Sequence, residues 1–304
     1  MHLEPPRESS KTCAIIIPIY NEEGCLEKTI SQIKQIVARI GDYKFEIICV
    51  NDGSSDSTPD ILDLQDDITI LTHEVNRGYG AALRTGLDYC HQEWIFICDA
   101  DDSYELGDLE KLLEATKPDI QMIVGAREGI GISSNPFKRL ARWILRKMVH
   151  GLTGVMVPDL NSGLRLFRRS LYLEFRHLLP MGFSFTTTIT VSSLYSGYHI
   201  RFIPTKYHKR HGKSSIRPVR DFMLFCILII RLASYFEPLN FFLPASFFVL
   251  CLAIFRSVRD IIVSDHIGSL SVIMFILAFQ TFVIGVLADV IVRRSKTGRD
   301  TSQH

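Results

Sequence analysis

No apolar core interrupts the first eleven residues. Residues 1–11 are polar and contain Pro5-Pro6, so nothing there reads as a signal peptide, and the amino-terminal half is expected on the cytosolic side. Net charge is nearly absent as well. The 34 Lys and Arg against 33 Asp and Glu leave +1, which gives no reason to expect nucleic acid as a partner. Cysteine pairing signals are also missing. The seven cysteines (Cys13, Cys25, Cys49, Cys90, Cys98, Cys226, Cys251) are scattered, odd in number and contain no C-x-x-C. That argues against a zinc site and for a reducing compartment around the soluble part. No internal repeat or low-complexity segment is visible, so a repeat architecture is excluded.

What is present falls into two parts. A chain of 304 residues, 47% hydrophobic, has room for one large α/β domain and something more. Short β-branched runs at 13–19, 45–50, 68–71, 94–98, 120–124 and 199–203 read as strands. Helical patterns lie between them, through Ile30, Ile33, Ile36, Val37 and Ile40, from Thr58-Pro59 with a capping hydroxyl, and at 81–90, 106–116, 136–151 and 171–178. The helix at 136–151 is amphipathic and carries Lys138, Arg139, Arg142, Arg146 and Lys147, whereas 159–165 reads as a turn. Such alternation indicates a parallel, doubly wound sheet.

The carboxyl-terminal part differs. Residues 238–255 form an uncharged, mostly apolar run of 18 and residues 267–288 another of 22, close to the roughly 20 that a helix needs to cross a bilayer core. Two runs so close together favour membrane spans over buried globular helices. Residues 216–236 are apolar but interrupted by Arg217, Arg220, Asp221 and Arg231, the pattern of a helix lying in the membrane interface. A core helix shares that pattern; its place before two spans favours the interface. Arg293, Arg294, Lys296 and Arg299 follow the second run and put the carboxyl terminus in the cytosol, although Arg256 and Arg259 weaken the contrast. The expected division is a polar tail at 1–11, a catalytic domain at 12–215, an interfacial helix at 216–237, spans at 238–255 and 267–292 around a loop at 256–266, and a basic tail at 293–304.

The strand at 94–98 runs straight into Asp99, Ala100, Asp101 and Asp102. In open α/β sheets, ligands bind outside the carboxyl ends of strands. Asp99 and Asp101 are two apart, so in an extended chain both would point one way and share a hard cation, Mg²⁺ or Mn²⁺, bridged to diphosphate oxygens. An acidic turn capping the next helix would look the same locally. Glu22 and Asp52 follow adjacent strands and are candidate acceptors for a nucleotide base and ribose; a first-turn helix residue and a turn former are the alternatives. Gly78 and Gly80 permit close backbone approach and read as packing and loop residues near a nucleotide, with Arg77 as a further contact. They are no dinucleotide fingerprint, because Leu83 holds the third glycine position.

Taken in order, Tyr20-Asn21-Glu22-Glu23, Asn51-Asp52-Gly53-Ser54-Ser55-Asp56, Asn76-Arg77-Gly78-x-Gly80-x-Ala82 and Asp99-Ala100-Asp101 resemble inverting glycosyltransferases with the GT-A fold. Gly125-Ala126-Arg127, Asn161-Ser162-Gly163-Leu164-Arg165 and His211-Gly212-Lys213-Ser214-Ser215-Ile216-Arg217 resemble the polyprenyl-phosphate glycosyltransferases, relatives of dolichyl-phosphate mannose synthase. Each motif alone is weak; seven in order, from Cys13 to about Asn240, are specific. The resemblance implies an α/β, doubly wound, mostly parallel sheet followed by an interfacial helix and two spans. It implies metal-dependent, inverting transfer of one sugar from a UDP- or GDP-sugar to undecaprenyl or dolichyl phosphate. The implied setting is an integral membrane protein of the bacterial inner membrane or endoplasmic reticulum, with self-association as a further partner class.

The same resemblance assigns residues. Pro18, Tyr20, Glu22, Asp52, Asp99 and Ala100 would bind the donor, and Asp99 and Asp101 the metal. Asp101, Arg127 and Arg139 would be catalytic, the two arginines as phosphate-binding cations. Asn161, Ser162, Lys209, Arg210, Ser214 and Arg217 would meet the acceptor and its phosphate. The family commonly has Gln two residues after the second Asp; here Ser103 stands there, which leaves the third metal ligand open. Two competing readings exist. A processive polysaccharide synthase shares the fold and the anchoring, but its Q-x-x-R-W box is matched here only by Arg142-Trp143, mid-domain and with Arg139 in place of Gln. A non-catalytic membrane scaffold on the same fold is opposed by the intact Asp52, Asp99 and Asp101.

Overall fold

The computed structural model describes residues 11–128, 136–182, 184–207, 218–264 and 266–300, with side chains for all of these except 136–142, 218–222, 264 and 293–300. The chain divides into two units, Met1–Phe225 and Cys226–His304.

In the first unit the apolar runs become strands covered on both faces. β1 (Lys11–Ile19) is buried without interruption from Cys13 onward, the mark of a central parallel strand rather than an alternating one. α1 (Leu26–Val37) follows and buries Leu26, Ile30 and Ile33, the 3.6-residue spacing of a core-facing stripe. β2 (Tyr43–Asn51), α2 (Thr58–Asp63), β3 (Thr69–Thr72), α3 (Tyr79–Tyr89) and β4 (Trp94–Ile97) continue the alternation. α4 (Asp108–Glu114), β5 (Ile120–Glu128), α5 (Pro136–Thr153), β6 (Arg165–Arg168), α6 (Arg169–Phe175), α7 (Phe185–Tyr195) and β7 (His199–Lys206) complete the unit.

The seven strands form one sheet in the order β3-β2-β1-β4-β6-β5-β7. β1 pairs in parallel with β2 on one side and β4 on the other, so the strand order reverses at β1. β6 is antiparallel to both β4 and β5, and β7 runs parallel to β5. One edge of the sheet therefore collects the carboxyl ends of six strands and the amino end of β6. A crevice at such a switch point is where open α/β sheets bind ligands.

Two elements escaped the sequence reading. β6 has only four residues, with arginines at both ends, and it begins at Arg165 inside the segment read as a turn. In α7 every residue from Phe185 to Leu194 is buried, so no polar face marks a helical period, and its Thr and Val are poor helix formers. The capping hydroxyl expected at α2 is also used differently. Thr58 Oγ1 accepts the Glu22 N–H at 3.1 Å, and α2 has no side-chain cap.

α8 (Pro218–Phe236) buries Phe225, Ile229, Leu232 and Phe236 while exposing Met223, Leu224, Ile227 and Ile230. It is apolar on two faces. The second unit contains α9 (Pro238–Ser264) and α10 (Ser269–Asp300), with membrane-length apolar stretches at Pro238–Val263 and Ser269–Val292. α9 continues to Ser264, through most of the residues expected as a loop at 256–266. In these turns Arg256 lies 4.0 Å from Asp260, and Asp260 accepts from Gly268 N at 3.2 Å and Ser271 Oγ at 2.7 Å. At about 1.5 Å per residue, these last turns of α9 extend past a hydrocarbon core of about 30 Å. Midway along the hairpin, Ser246 Oγ donates to the Ala278 carbonyl at 2.8 Å.

Gly80 shows what the glycine motif does. A Cβ there would sit 2.5 Å from the carbonyl oxygens of Pro180 and Gly182, so the close approach is to the chain's own backbone. Gly80→Ala should cost near the upper end of about 1–3 kcal/mol from overpacking, outweighing the roughly 1 kcal/mol that alanine gains over glycine in a helix. Thermal unfolding should show a lower midpoint; an unchanged or raised one would mean residues 180–182 move freely.

Candidate active site

The loops after β1 and β2 are zipped together. Asn21, at φ 54°, donates its N–H to Ser54 Oγ at 3.0 Å and accepts the Ser55 N–H at 2.8 Å. Glu23 N donates to Asp56 Oδ2 at 3.2 Å, and Glu23 Oε2 accepts from Ser57 N at 3.0 Å. Burial alone would raise the Asp56 carboxyl, but hydrogen bonds from Thr58 and Glu23 hold it below its ordinary value. Tyr20 projects from this platform, 47% exposed, and Glu22 is half-buried beside it. Pro18 is buried within β1, in register with Val50.

Asp52 is differently placed from what a direct base or ribose contact requires. It is 2% exposed; Oδ1 meets His73 Nδ1 at 2.6 Å and accepts the Arg77 N–H at 2.9 Å, while Oδ2 accepts the Gly78 N–H at 2.8 Å. His73 Nε2 in turn meets Thr85 Oγ1 at 2.9 Å. The carboxylate thus clamps the loop entering α3, which is the turn-forming role.

At the end of β4 the chain does not stay extended. The strand stops at Ile97, the backbone bends at 100–102, and Asp102 takes φ 56° while pairing with Lys28 at 2.5 Å. Ala100 is buried and its carbonyl accepts Thr29 Oγ1 at 3.3 Å. Asp99 and Asp101 are therefore held by different neighbours. Asp99 Oδ1 accepts the Tyr79 hydroxyl at 3.0 Å, and a Cβ on Gly163 would fall 2.2 Å from Asp99 Oδ2, so a side chain there would displace the carboxylate. Burial first, then Asp99, pushes the Tyr79 phenol well above its ordinary pKa, which keeps it a donor. Asp101 is 4% exposed, and its Oδ1 accepts from Ser103 N at 3.1 Å and Ser103 Oγ at 2.5 Å. Ser103, itself buried, orients Asp101. Among the described residues, no three His, Cys, Asp or Glu side chains cluster as a metal site.

Across the crevice, Arg127 at the end of β5 is not a free cation. Its Nε donates to Asp159 Oδ2 at 2.6 Å and its Nη2 to Oδ1 at 2.8 Å, a bidentate pair, and its guanidinium lies 5.3 Å from the Tyr207 ring. Ser162 is fully buried, its hydroxyl 3.4 Å from Tyr104 Oη and the Leu164 carbonyl; a phosphate contact through that hydroxyl is closed off. Asn161 is exposed, with its side-chain oxygen accepting Thr187 Oγ1 at 2.7 Å. Tyr104 reaches the same loop, accepting the Gly163 N–H at 2.8 Å.

The structure thus gathers Tyr20, Glu22, Asp52, Asp99, Ala100, Asp101, Arg127, Asn161 and Ser162 along one sheet edge. The side chain of Arg139 and all of Lys209, Arg210, Ser214 and Arg217 lie outside the described residues. Sequence reasoning missed Tyr79, His73, Tyr104 and Asp159. Tyr79 stood in plain view between the two glycines, and Asp159 two residues before Asn161-Ser162.

Burial would raise the Asp159 carboxyl, but the Arg127 guanidinium hydrogen-bonded to it holds it below its ordinary value. A depressed folded pKa means stability present above the unfolded value, about 3.9, and lost as pH falls through the lower folded one. Asp159→Ala should cost about 1–3 kcal/mol, less than for a fully buried pair because 32% of the Arg127 side chain is exposed. The deficit should shrink on acidification below about pH 4; chemical denaturation at pH 7 and pH 3 measures both, and a pH-independent deficit would rule the ion pair out as its cause.

Comparison with known proteins agrees with this geometry. Residues 14–175 match glycosyl transferase family 2, and residues 237–293 match the GtrB C-terminal hairpin. A dolichyl-phosphate hexose transferase of Haloferax volcanii is 27% identical over 206 residues, 67% of this chain and 86% of its own length. A dolichyl-phosphate beta-glucosyltransferase of Saccharomyces cerevisiae is 26% identical, covering 72% of this chain and 74% of its own length. An undecaprenyl-phosphate 4-deoxy-4-formamido-L-arabinose transferase of Pseudomonas fluorescens is 27% identical over 52% of this chain and 47% of its own length. Among solved structures, glucosyl-3-phosphoglycerate synthase of Mycobacterium tuberculosis, crystallised with Mn²⁺, UDP and phosphoglyceric acid, shares the fold. Its TM-score is 0.55 at 20% identity, over 74% of this chain and 78% of that one. The sheet, the acidic β4 end and the family match agree: this chain is a glycosyltransferase and belongs to glycosyl transferase family 2.

Proposed function

We propose that the chain moves one sugar from a nucleotide-diphospho-sugar to a polyprenyl phosphate, with inversion and with a divalent cation, at the cytosolic face of a membrane. The observation that carries this reading is a single chain with two oriented carboxylates, Asp99 and Asp101, at the β4 end and a hairpin of two membrane-length helices. The dolichyl- and undecaprenyl-phosphate relatives support the acceptor, and the Mn²⁺- and UDP-bound structural neighbour supports the donor class and the ion.

The carboxylates fit a hard cation. Both offer oxygen donors of the kind Mg²⁺ and Mn²⁺ take, and Tyr79 and Ser103 orient them. When bound, the ion neutralises the departing diphosphate. Tyr20 and Glu22, on the zipped loops, face the nucleotide. Asp52 acts at one remove, by holding the Arg77–Gly78 backbone. The Arg127–Asp159 pair fixes the 159–165 loop, and Arg139, Lys209, Arg210, Ser214, Arg217 and Asn161 screen the acceptor phosphate.

A phosphate monoester has a second pKa of about 6 and is largely dianionic at neutral pH, so the acceptor is already a nucleophile and needs no catalytic base. Its oxygen attacks the anomeric carbon from behind, the bond to the diphosphate breaks, and the nucleoside diphosphate leaves with the electron pair. One such displacement inverts the centre. The chain's own task is placement and charge screening. A hairpin of two spans anchors a single-transfer enzyme but supplies little wall for a polymer channel, which disfavours processive synthesis.

The test is a screen of UDP- and GDP-sugars with the full chain in vesicles, offering polyprenyl phosphate or the free polyprenol. Only the phosphate should be glycosylated, and Asp101→Ala should lose about 10²-fold or more without losing its fold. Glycosylation of polyprenol, polymer without lipid, or full activity in excess chelator would each defeat the assignment. The topology has its own check. Single cysteines replacing Ser264 and Ser302, in a background without other reactive cysteines, should label from opposite faces of sealed vesicles; labelling from one face would overturn the hairpin orientation.

A further inference from the structure

The 159–165 loop is fastened at two separate points, by hydroxyls from two different elements. Toward its carboxyl end Gly163 lies against Asp99, so close that a Cβ there would fall 2.2 Å from Oδ2. Tyr104, three residues after Asp101, holds Gly163 in that place. It is 5% exposed, and its hydroxyl accepts the Gly163 N–H at 2.8 Å and lies 3.4 Å from Ser162 Oγ. The Tyr104 backbone bridges to Tyr207, and the two rings meet edge to face at 5.3 Å. The residue is thus anchored by ring and backbone, while its oxygen holds the loop.

The amino end is tied elsewhere. Asn161 N donates to Asp159 Oδ1 at 3.0 Å, and the Asn161 side-chain oxygen accepts the Thr187 hydroxyl at 2.7 Å. Thr187 stands in the first turn of α7 and is 1% exposed, whereas Asn161 is exposed. A buried hydroxyl therefore aims an exposed amide. With its oxygen engaged, Asn161 has its NH₂ group to offer, a donor that suits an anionic oxygen. Both hydroxyls are buried, so each acts on a ligand only through the residue it holds. Losing either one leaves its partner unsatisfied and free to shift.

We propose that Tyr104 and Thr187 are positioning residues with divided tasks. Tyr104, through Gly163, sets the Asp99 carboxylate toward the cation and donor; Thr187, through Asn161, sets an amide donor toward the acceptor phosphate. The inference rests on the proposed transfer to a polyprenyl phosphate. It gives one loop a separate adjustment for each substrate.

Tyr104→Phe keeps the ring and deletes only the oxygen, and Thr187→Val keeps the shape of the side chain. Both are tested in the full chain in detergent. Mn²⁺ binding, read by electron paramagnetic resonance with whichever of UDP or GDP promotes it, should weaken about tenfold in Tyr104→Phe. KM for undecaprenyl or dolichyl phosphate should stay unchanged in that variant. Thr187→Val should do the reverse, raising that KM about fivefold, the effect expected of one hydrogen bond, with Mn²⁺ affinity unchanged. Because it acts through Asn161, Thr187→Val should add nothing in an Asn161→Ala background. Should Tyr104→Phe fail to fold, Gly163→Ala supplies the donor arm, since its methyl would displace the carboxylate. Variants that move both constants together, or neither, would overturn the inference. A Thr187→Val effect that persists without the Asn161 side chain would overturn it too. If the unaltered chain binds no Mn²⁺ with either nucleotide, or transfers sugar to no lipid phosphate, the underlying reading falls and this inference with it.

Discussion

A buried guanidinium holds the site side of the sheet together. Arg165 has no exposed surface, and it donates to the Ser162 carbonyl through Nε and Nη2 at 3.1 and 2.5 Å, and through Nη1 to the Thr186 carbonyl at 2.9 Å and Thr190 Oγ1 at 3.1 Å. Burial pulls its pKa down, while Tyr79, Tyr104, Asp159 and Asp99 nearby oppose that shift. Removing a charged group from water costs several kcal/mol, so such a residue persists only where its hydrogen bonds are satisfied. Those bonds join the 159–165 loop to α7 at the point where β6 enters the sheet between β4 and β5. The loop that lies against Asp99 is thus fixed from beneath.

From that anchor the crevice is built by residues that serve one another. Tyr79 and the Gly163 backbone bracket Asp99, Ser103 orients Asp101, and Arg127 and Asp159 lock the far wall. Asp52, His73 and Thr85 do the same for the entrance to α3. A glycosyltransferase that displaces a diphosphate with a ready nucleophile gains most from preorganisation, because rigid dipoles and charges need not reorganise during transfer. The density of intramolecular hydrogen bonds at this edge suits that demand. It also means that several polar residues of the motifs act by positioning backbone, and only a few remain to touch ligands.

The carboxyl-terminal hairpin follows a different economy. Helices α9 and α10 expose large apolar side chains along most of their length, among them Phe247, Phe248, Phe279 and Leu287. Some of their polar groups bond internally, Ser246 to Ala278 and Asp260 to the start of α10. In hydrocarbon, polar groups must find partners within the protein. A charged residue can stay in such a helix only near its end, as Arg256 and Asp260 do.

By itself the sequence determined the strand–helix alternation, the membrane-length runs and the order of the motifs. Each of these is local: β-branched runs such as 13–19 make buried strands, and apolar runs of 18 to 22 residues make helices of membrane length. Acids placed after strands belong at a sheet edge, so the position of Asp99 and Asp101 at that edge was legible before any contact was known. The tertiary structure decided which of these side chains are spent on the protein. Ser162, Asp52 and Arg127 sit in ligand-like motifs, yet burial, a backbone clamp and a bidentate pair hold them within the protein. The antiparallel β6 and the wholly buried α7 were likewise invisible, because a four-residue strand and a helix buried all round carry no period. Partners distant in the chain, such as Asp99 with Tyr79 and Gly163, come together only when the sheet closes its order around β1, and no spacing within the sequence encodes that meeting.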